Sequence, residues 1–255
     1  MQGIIQNIFT SGIIQGGLVR AIERSLEHGR AMLLLEGMWM TIRISLGAIL
    51  LGLVIGSIVV TLKLSKFRVL RAIALVYLGI IRGTPSVTQL LIVNFTIFAG
   101  VRGAGMWVGI VALGINSGAY VAEIIRAGIM SVDKGQREAG LSLGFTRFQT
   151  MRYIILPQAI KNIIPTFVNE FIVLIKETAI VGFVGVSDVT RVATQIMTRT
   201  FDVTPIFISA IMYLTLISIL TMLLGLLEKK LRESDRDGPK KRIKRKVFQK
   251  GGDLS

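Results

Sequence analysis

Five long apolar stretches dominate this 255-residue chain and fix what it can become. A hydrocarbon layer of about 30 Å takes about 20 helical residues to cross, and in that layer every backbone polar group must be satisfied within the protein. The stretches fall at about 38–62, 72–98, 106–126, 162–185 and 206–227. Together with 52% hydrophobic residues, they make the chain a polytopic, all-α membrane protein. The second stretch is interrupted by Arg82-Gly83-Thr84-Pro85, read as a helix, a break and a shorter span. Such a break is tolerated at membrane depth only where protein or a watery cavity takes up the freed hydrogen bonds.

Charge orients the bundle. Lys63, Lys66, Arg68 and Arg71 give the first connection a net +4. The 127–161 segment is net +3, and residues 228–255 are net +6. The other side is balanced: Arg20, Arg24 and Arg30 offset Glu23, Glu27 and Glu36 in the first 37 residues. Basic connections stay in the cytoplasm. The N-terminus is therefore expected outside, the C-terminus and the 127–161 segment in the cytoplasm.

Three regions follow. Residues 1–37 show no signal-peptide pattern, and Ile13, Ile14, Leu18, Ala21, Ile22 and Leu26 recur at helical spacing, as an amphipathic outer-surface helix would. Residues 38–230 form the transmembrane domain. Residues 231–255 carry KKRIKRK beyond Gly238-Pro239 and read as a solvated cytoplasmic tail attracted to anionic lipid, in preference to nucleic acid.

Several chemistries are excluded. With no cysteine there is no thiolate or disulfide, and a single histidine, His28, leaves little for metal binding. No phosphate loop, nucleophile elbow or His-Glu-x-x-His occurs. The chain is not expected to be an enzyme, and neither a cofactor nor a metal is implied.

The polar insertion between the third and fourth spans reads EAGLSLGFTRFQTMRYIILP. It resembles the coupling segment of ABC importer permeases: Glu-Ala-Ala, three residues, Gly, nine residues, Ile, one residue, Leu-Pro. Glu138, Ala139, Gly144, Ile154, Leu156 and Pro157 stand in register. Gly140 replaces the usual third-position Ala at about 1 kcal/mol of helix propensity, which implies a looser or more kinked first coupling helix. Further runs resemble the polar amino acid permeases of that class. They are Tyr77–Pro85, Ala119–Ile129, Ser131–Gln136, Leu156–Ala159, and Asn169 followed by Lys176-Glu177-Thr178-Ala179. The likeness extends from about 35 to 230 and departs at Ala179, where the family often has Ser.

The resemblance implies a type I ABC importer permease fold of about five transmembrane helices with a cytoplasmic coupling segment, in a bacterial plasma (inner) membrane. It also implies two ATP-binding subunits, a second permease copy or paralogue, and an external or periplasmic substrate-binding protein. Glu138, Ala139, Gly140, Gly144 and Pro157 would then form the contact with the ATPase, and hydrolysis would belong to that partner.

Charged groups within the spans carry the remaining inference, because each is costly in hydrocarbon. Arg43 is read as snorkelling to the outer surface. Glu123 and Arg126, three apart on a helix, are read as a pair. Arg82 either anchors the break or lines the pathway. In the fourth span Asn169 and Lys176, like Glu170 and Glu177, are seven residues apart, which returns each pair to nearly one helix face. Glu170 lies about 13 Å in from Lys161, close to midplane. It can be protonated there, or paired with a basic residue such as Arg82, or it can read the cationic end of arginine, lysine or histidine. On that last reading Asn169, Gln89 and Asn116 meet the α-amino and α-carboxylate groups. Uptake of neutral polar amino acids such as glutamine stands as an alternative. A secondary transporter or channel shares the broken helices, and a membrane scaffold shares the basic tail. Neither accounts for the coupling pattern.

Overall fold

The computed structural model describes residues 29–236, with side chains to 230. The predicted amphipathic helix before residue 29, His28, and the tail from 237 lie outside the described residues. What is described is helical, with no strand.

Helix α1 (Arg30–Lys63) starts ahead of the expected span at 38 and is 34 residues long. At 1.5 Å per residue it measures about 51 Å, well beyond the hydrocarbon thickness. A turn at Leu64–Phe67 leads into α2 (Arg68–Gly83), which bends by 108° into α3 (Ser86–Thr96). Then come α4 (Gly105–Met130), α5 (Lys134–Ser142), the single turn α6 (Arg147–Thr150) and a π-helical turn (Met151–Ile155). Helix α7 (Leu156–Glu177) runs into a 3₁₀ segment (Thr178–Val184), followed by α8 (Val189–Thr200) and α9 (Thr204–Arg236).

Helices form at all five expected spans, but they are not equivalent. Helices α1, α4 and α9 are long and apolar enough to cross a membrane, and the α2–α3 pair is a fourth crossing if the bent pair counts as one span. Helix α7 is not among them. Lys161, Glu170, Lys176 and Glu177 dilute its hydropathy, so the count of about five reduces to three or four on length and composition alone.

The chain divides into two compact units, one holding residues up to Arg126 with Glu170–Ile217, the other Ala127–Asn169 with residues from Ser218 onward. In the first, α1 and α4 pack along a seam of small residues. A Cβ on Gly56 would sit 2.7 Å from Val121 Cγ1 and 2.9 Å from the Ala122 backbone nitrogen. This is how helices associate where lipid supplies no hydrophobic contrast: small residues let backbones approach and gain dispersion. Val59, Val60, Ala74, Leu78, Ala119 and Ala122 join α2 to that seam. At the far end of α1, Leu34 and Met38 pack with Val189, Val192, Ala193 and Ile196 of α8.

The α2–α3 break follows from its sequence. Pro85 forces Thr84 into extended backbone (φ −124°, ψ 148°), which ends α2. The freed carbonyls of Ile81 and Thr84 accept from the Gln89 side-chain amide at 2.7 and 3.2 Å, and Thr84 Oγ1 accepts from it at 2.8 Å. One buried glutamine thus supplies the donors that the missing turn would have given.

Candidate functional site

The coupling segment is built by local backbone chemistry. Asp133 caps α5 by accepting from the Gly135 N–H at 2.7 Å. At the other end Phe145 N–H donates to Gly140 O at 3.1 Å and Gly144 N–H to Leu141 O at 3.0 Å. With Gly144 at φ +83°, this is a left-handed helix stop that a side chain would strain. Thr146 and Gln149 then form a reciprocal capping box for the next turn, at 3.2 and 2.8 Å. The Thr-x-x-Gln spacing is the sequence signal for this turn. The return helix α7 opens at Leu156, and Pro157 falls in its first turn, where the missing N–H is not needed. The preceding π turn widens the backbone ahead of the proline ring.

Gly140 corrects the expectation of a looser helix. Helix α5 is unbroken, and Gly140 is its buried residue. A Cβ there would lie 2.7 Å from Ile154 Cδ1 and 2.9 Å from Thr150 Cγ2. The missing methyl lets the two arms of the segment close on each other. Glu138 and Ala139 face outward, as do Leu143 at 77%, Phe148 at 72% and Tyr153 at 64% exposure. A short polar segment that exposes a charged residue and several large apolar ones has the composition of a docking surface.

The polar groups of the spans sort differently. Glu170 is half-buried and accepts from Ser117 Oγ at 3.0 Å. Ser117 is fully buried on α4 and was not singled out from the sequence. Its signal is only a hydroxyl in the small-residue run Ser117-Gly118-Ala119. Its neighbour Asn116 donates to Gln89 Oε1 at 2.9 Å. Gln89 and Asn116 are therefore neighbours, and their amides are bonded to each other and to the helix break. Asn169 and Lys176 are exposed, and Glu177 is half-buried.

Arg82 lies over the Tyr120 ring, 5.6 Å from guanidinium carbon to centroid. Glu123 does pair with Arg126, at 2.9 Å, and also with Lys63 of α1. Among the described residues neither Glu170 nor Glu177 is in an ion pair.

Comparison with known proteins gives a consistent answer. Residues 48–233 match the family model of binding-protein-dependent transport system inner membrane components. The arginine transport system permease protein ArtQ of Bacillus subtilis is 42% identical over 79% of this chain and 94% of its own length. The glutamine transport system permease protein GlnP of Escherichia coli K12 is 37% identical over 78% of this chain and 93% of its own. Among solved structures, an amino acid ABC transporter crystallised with histidines superposes with a TM-score of 0.75 at 42% identity, over 78% of this chain and 94% of that one. The MetNI methionine transporter in an inward-facing form, at 20% identity and a TM-score of 0.68 over 80% of this chain and 99% of that one, shares the fold. The secondary-transporter, channel and scaffold readings fall away, and the chain is a multi-pass membrane protein that belongs to the inner-membrane permease family of ABC importers.

Proposed function

We propose that the chain forms the pathway of an ATP-driven importer for polar amino acids, with basic amino acids as its substrates. One observation carries the choice: a carboxylate inside the bundle, Glu170, whose partner is a neutral hydroxyl. A half-buried carboxylate without a counter-charge is costly, and a cationic substrate passing it would relieve that cost. Arginine, which the name of the Bacillus subtilis relative gives as its substrate, agrees with this chemistry. Asn169 stands beside Glu170 in the chain and serves the zwitterionic end. Gln89 and Asn116 would act there through the α2–α3 break they hold.

ATP is hydrolysed by two separate subunits that grip the Glu138–Pro157 segment from the cytoplasm. A second permease copy or a paralogue completes the pathway, and an external binding protein delivers substrate. Closure of the ATPases moves the coupling segment, and the helices it joins rock between outward and inward access. The N-terminus lies outside, and the tail from 231 faces anionic lipid in the cytoplasm.

Removing the charge while keeping the shape tests the reading. In proteoliposomes containing the assembled transporter, Glu170→Gln should depress arginine uptake about tenfold or more while glutamine uptake stays near wild type, since one charge-assisted contact contributes about 1.5–3 kcal/mol. Equal uptake of both amino acids by mutant and wild type would discard the assignment, and a wild type that prefers glutamine would favour the neutral-substrate alternative.

A further inference from the structure

One acid and two bases meet at each end of helix α1, drawn from α1 and a neighbouring helix, and the two trios behave differently. At the Lys63 end, Lys63 and Arg126 both contact Glu123 directly. At the Arg30 end, Glu36 and Arg43 of α1 and Arg199 of α8 line one cavity of ≈ 370 Å³, with Trp39, Met40 and Gln195 in its wall. Here the opposite charges do not close on each other. Among the described residues Glu36 and Arg199 take no hydrogen bond or ion pair, and Arg43 only leans on Trp39 (5.9 Å to the ring centroid) and Met40 Sδ (3.9 Å).

The frame around this cavity is stiff. A Cβ on Gly37 would lie 2.9 Å from both Val189 Cα and Val189 N, so α1 and the start of α8 touch backbone to backbone. Asp188, fully buried, caps α8 by accepting from Thr190 and Arg191 N–H groups at 3.0 Å each. The charges are therefore held apart on elements that cannot easily collapse. Glu36 and Arg43 are seven residues apart, on one helix face and about 10 Å along the axis. Measured back from Lys63, about 20 residues of hydrocarbon-spanning helix end near Arg43, which places the cavity at the outer boundary of the membrane.

We propose that this corner is a second amino acid site on the outer side, separate from Glu170, in which a basic amino acid lies lengthwise. Its carboxylate meets the guanidinium groups of Arg43 and Arg199, its side-chain cation meets Glu36, and its aliphatic stem runs over Trp39 and Met40. Two guanidiniums match a carboxylate in geometry and charge, and an acid two turns away matches the far cation. The site rests on the reading that the substrate is a basic amino acid. It would hold substrate at the mouth of the pathway before the spans open.

Trp39 supplies its own readout, because the chain has two tryptophans and Trp107→Phe leaves it alone. With the full chain in phosphatidylcholine nanodiscs, L-arginine should change Trp39 emission saturably. Glu36→Gln and Arg199→Gln should each weaken that response about tenfold, the measure of one charge-assisted contact. Arg199→Lys should recover part of the loss, which separates a lost contact from a misfolded corner, and L-glutamine should act more weakly than L-arginine. Glu170→Gln should leave the response unchanged, so failure at Glu170 and failure here are told apart. The proposal is overturned if arginine gives no saturable change, if the change survives both corner substitutions, or if Glu170→Gln alone removes it. It is equally overturned if the emission responds only when phosphatidylethanolamine replaces phosphatidylcholine, because the occupant is then a lipid headgroup.

Discussion

The coupling segment and the polar stripe of the spans are both strings of polar residues in an apolar chain, yet they are built by opposite means. From Asp133 to Pro157 nearly every key hydrogen bond joins residues within five positions of each other: the Asp133 cap, the Gly144 stop and the Thr146–Gln149 box. In the spans the decisive contacts reach across the fold: Ser117 to Glu170, Asn116 to Gln89, Lys63 to Glu123. Local geometry makes a motif whose residues have fixed duties. Long-range geometry lets the same residue type serve the pathway or the scaffold, depending on its neighbour.

The sharpest break of that contrast is at Gly144. An aspartate there would have to hold φ near +83°, at a cost of about 1 kcal/mol or more, and would carry charge onto the docking face. Gly144→Asp should abolish transport-coupled uptake while membrane expression stays normal, measured by substrate accumulation against immunoblot. Wild-type uptake would mean the stop is not where force enters. Gln89→Ala tests the other side. It leaves the carbonyls of Ile81 and Thr84 without their donor, so the purified protein should lose about 1–3 kcal/mol of stability by thermal or denaturant unfolding. Were uptake lost with stability intact, Gln89 would serve the substrate directly instead.

Gly140→Ala should move stability by no more than about 1 kcal/mol, because the gain in helix propensity is offset by pressure on Ile154 and Thr150. A large loss would show that the two arms cannot separate by even one methyl. The smallest effect is expected at Asp188, outside the membrane, where burial pushes the carboxyl above its ordinary range against opposing bonds from Arg191, Thr190 and Tyr213. The folded state then holds that proton more tightly than the unfolded one, so its contribution to stability falls as pH rises above about 4. Asp188→Asn should flatten this slope while preserving the cap; an unchanged slope would place its origin elsewhere.

What the sequence disclosed follows the same division. The apolar stretches, the Gly-Thr-Pro break and Gly144 are legible because their causes lie in the residues themselves. Gly140 was misjudged because its neighbours, Ile154 and Thr150, come from the returning arm. Ser117 was invisible because a serine in a small-residue run gives no hint that a carboxylate 53 positions away will accept its hydrogen bond. The fourth span was counted with the other four, although the charges that make it interesting also leave it outside the helices apolar enough to cross a membrane.

Helix α1 has no proline and runs without a break from Arg30 to Lys63 across its four internal glycines. One end bears the Gly37 contact with α8, and the other bears the Lys63 contact with Glu123. A rod without a joint cannot absorb displacement along its length. An axial shift at the Gly37 end would be carried by the unbroken helix toward the ion pair some 40 Å away, at about 1.5 Å per residue. Amide exchange along α1 should accordingly report one mechanical body, slow and uniform between Gly37 and Lys63.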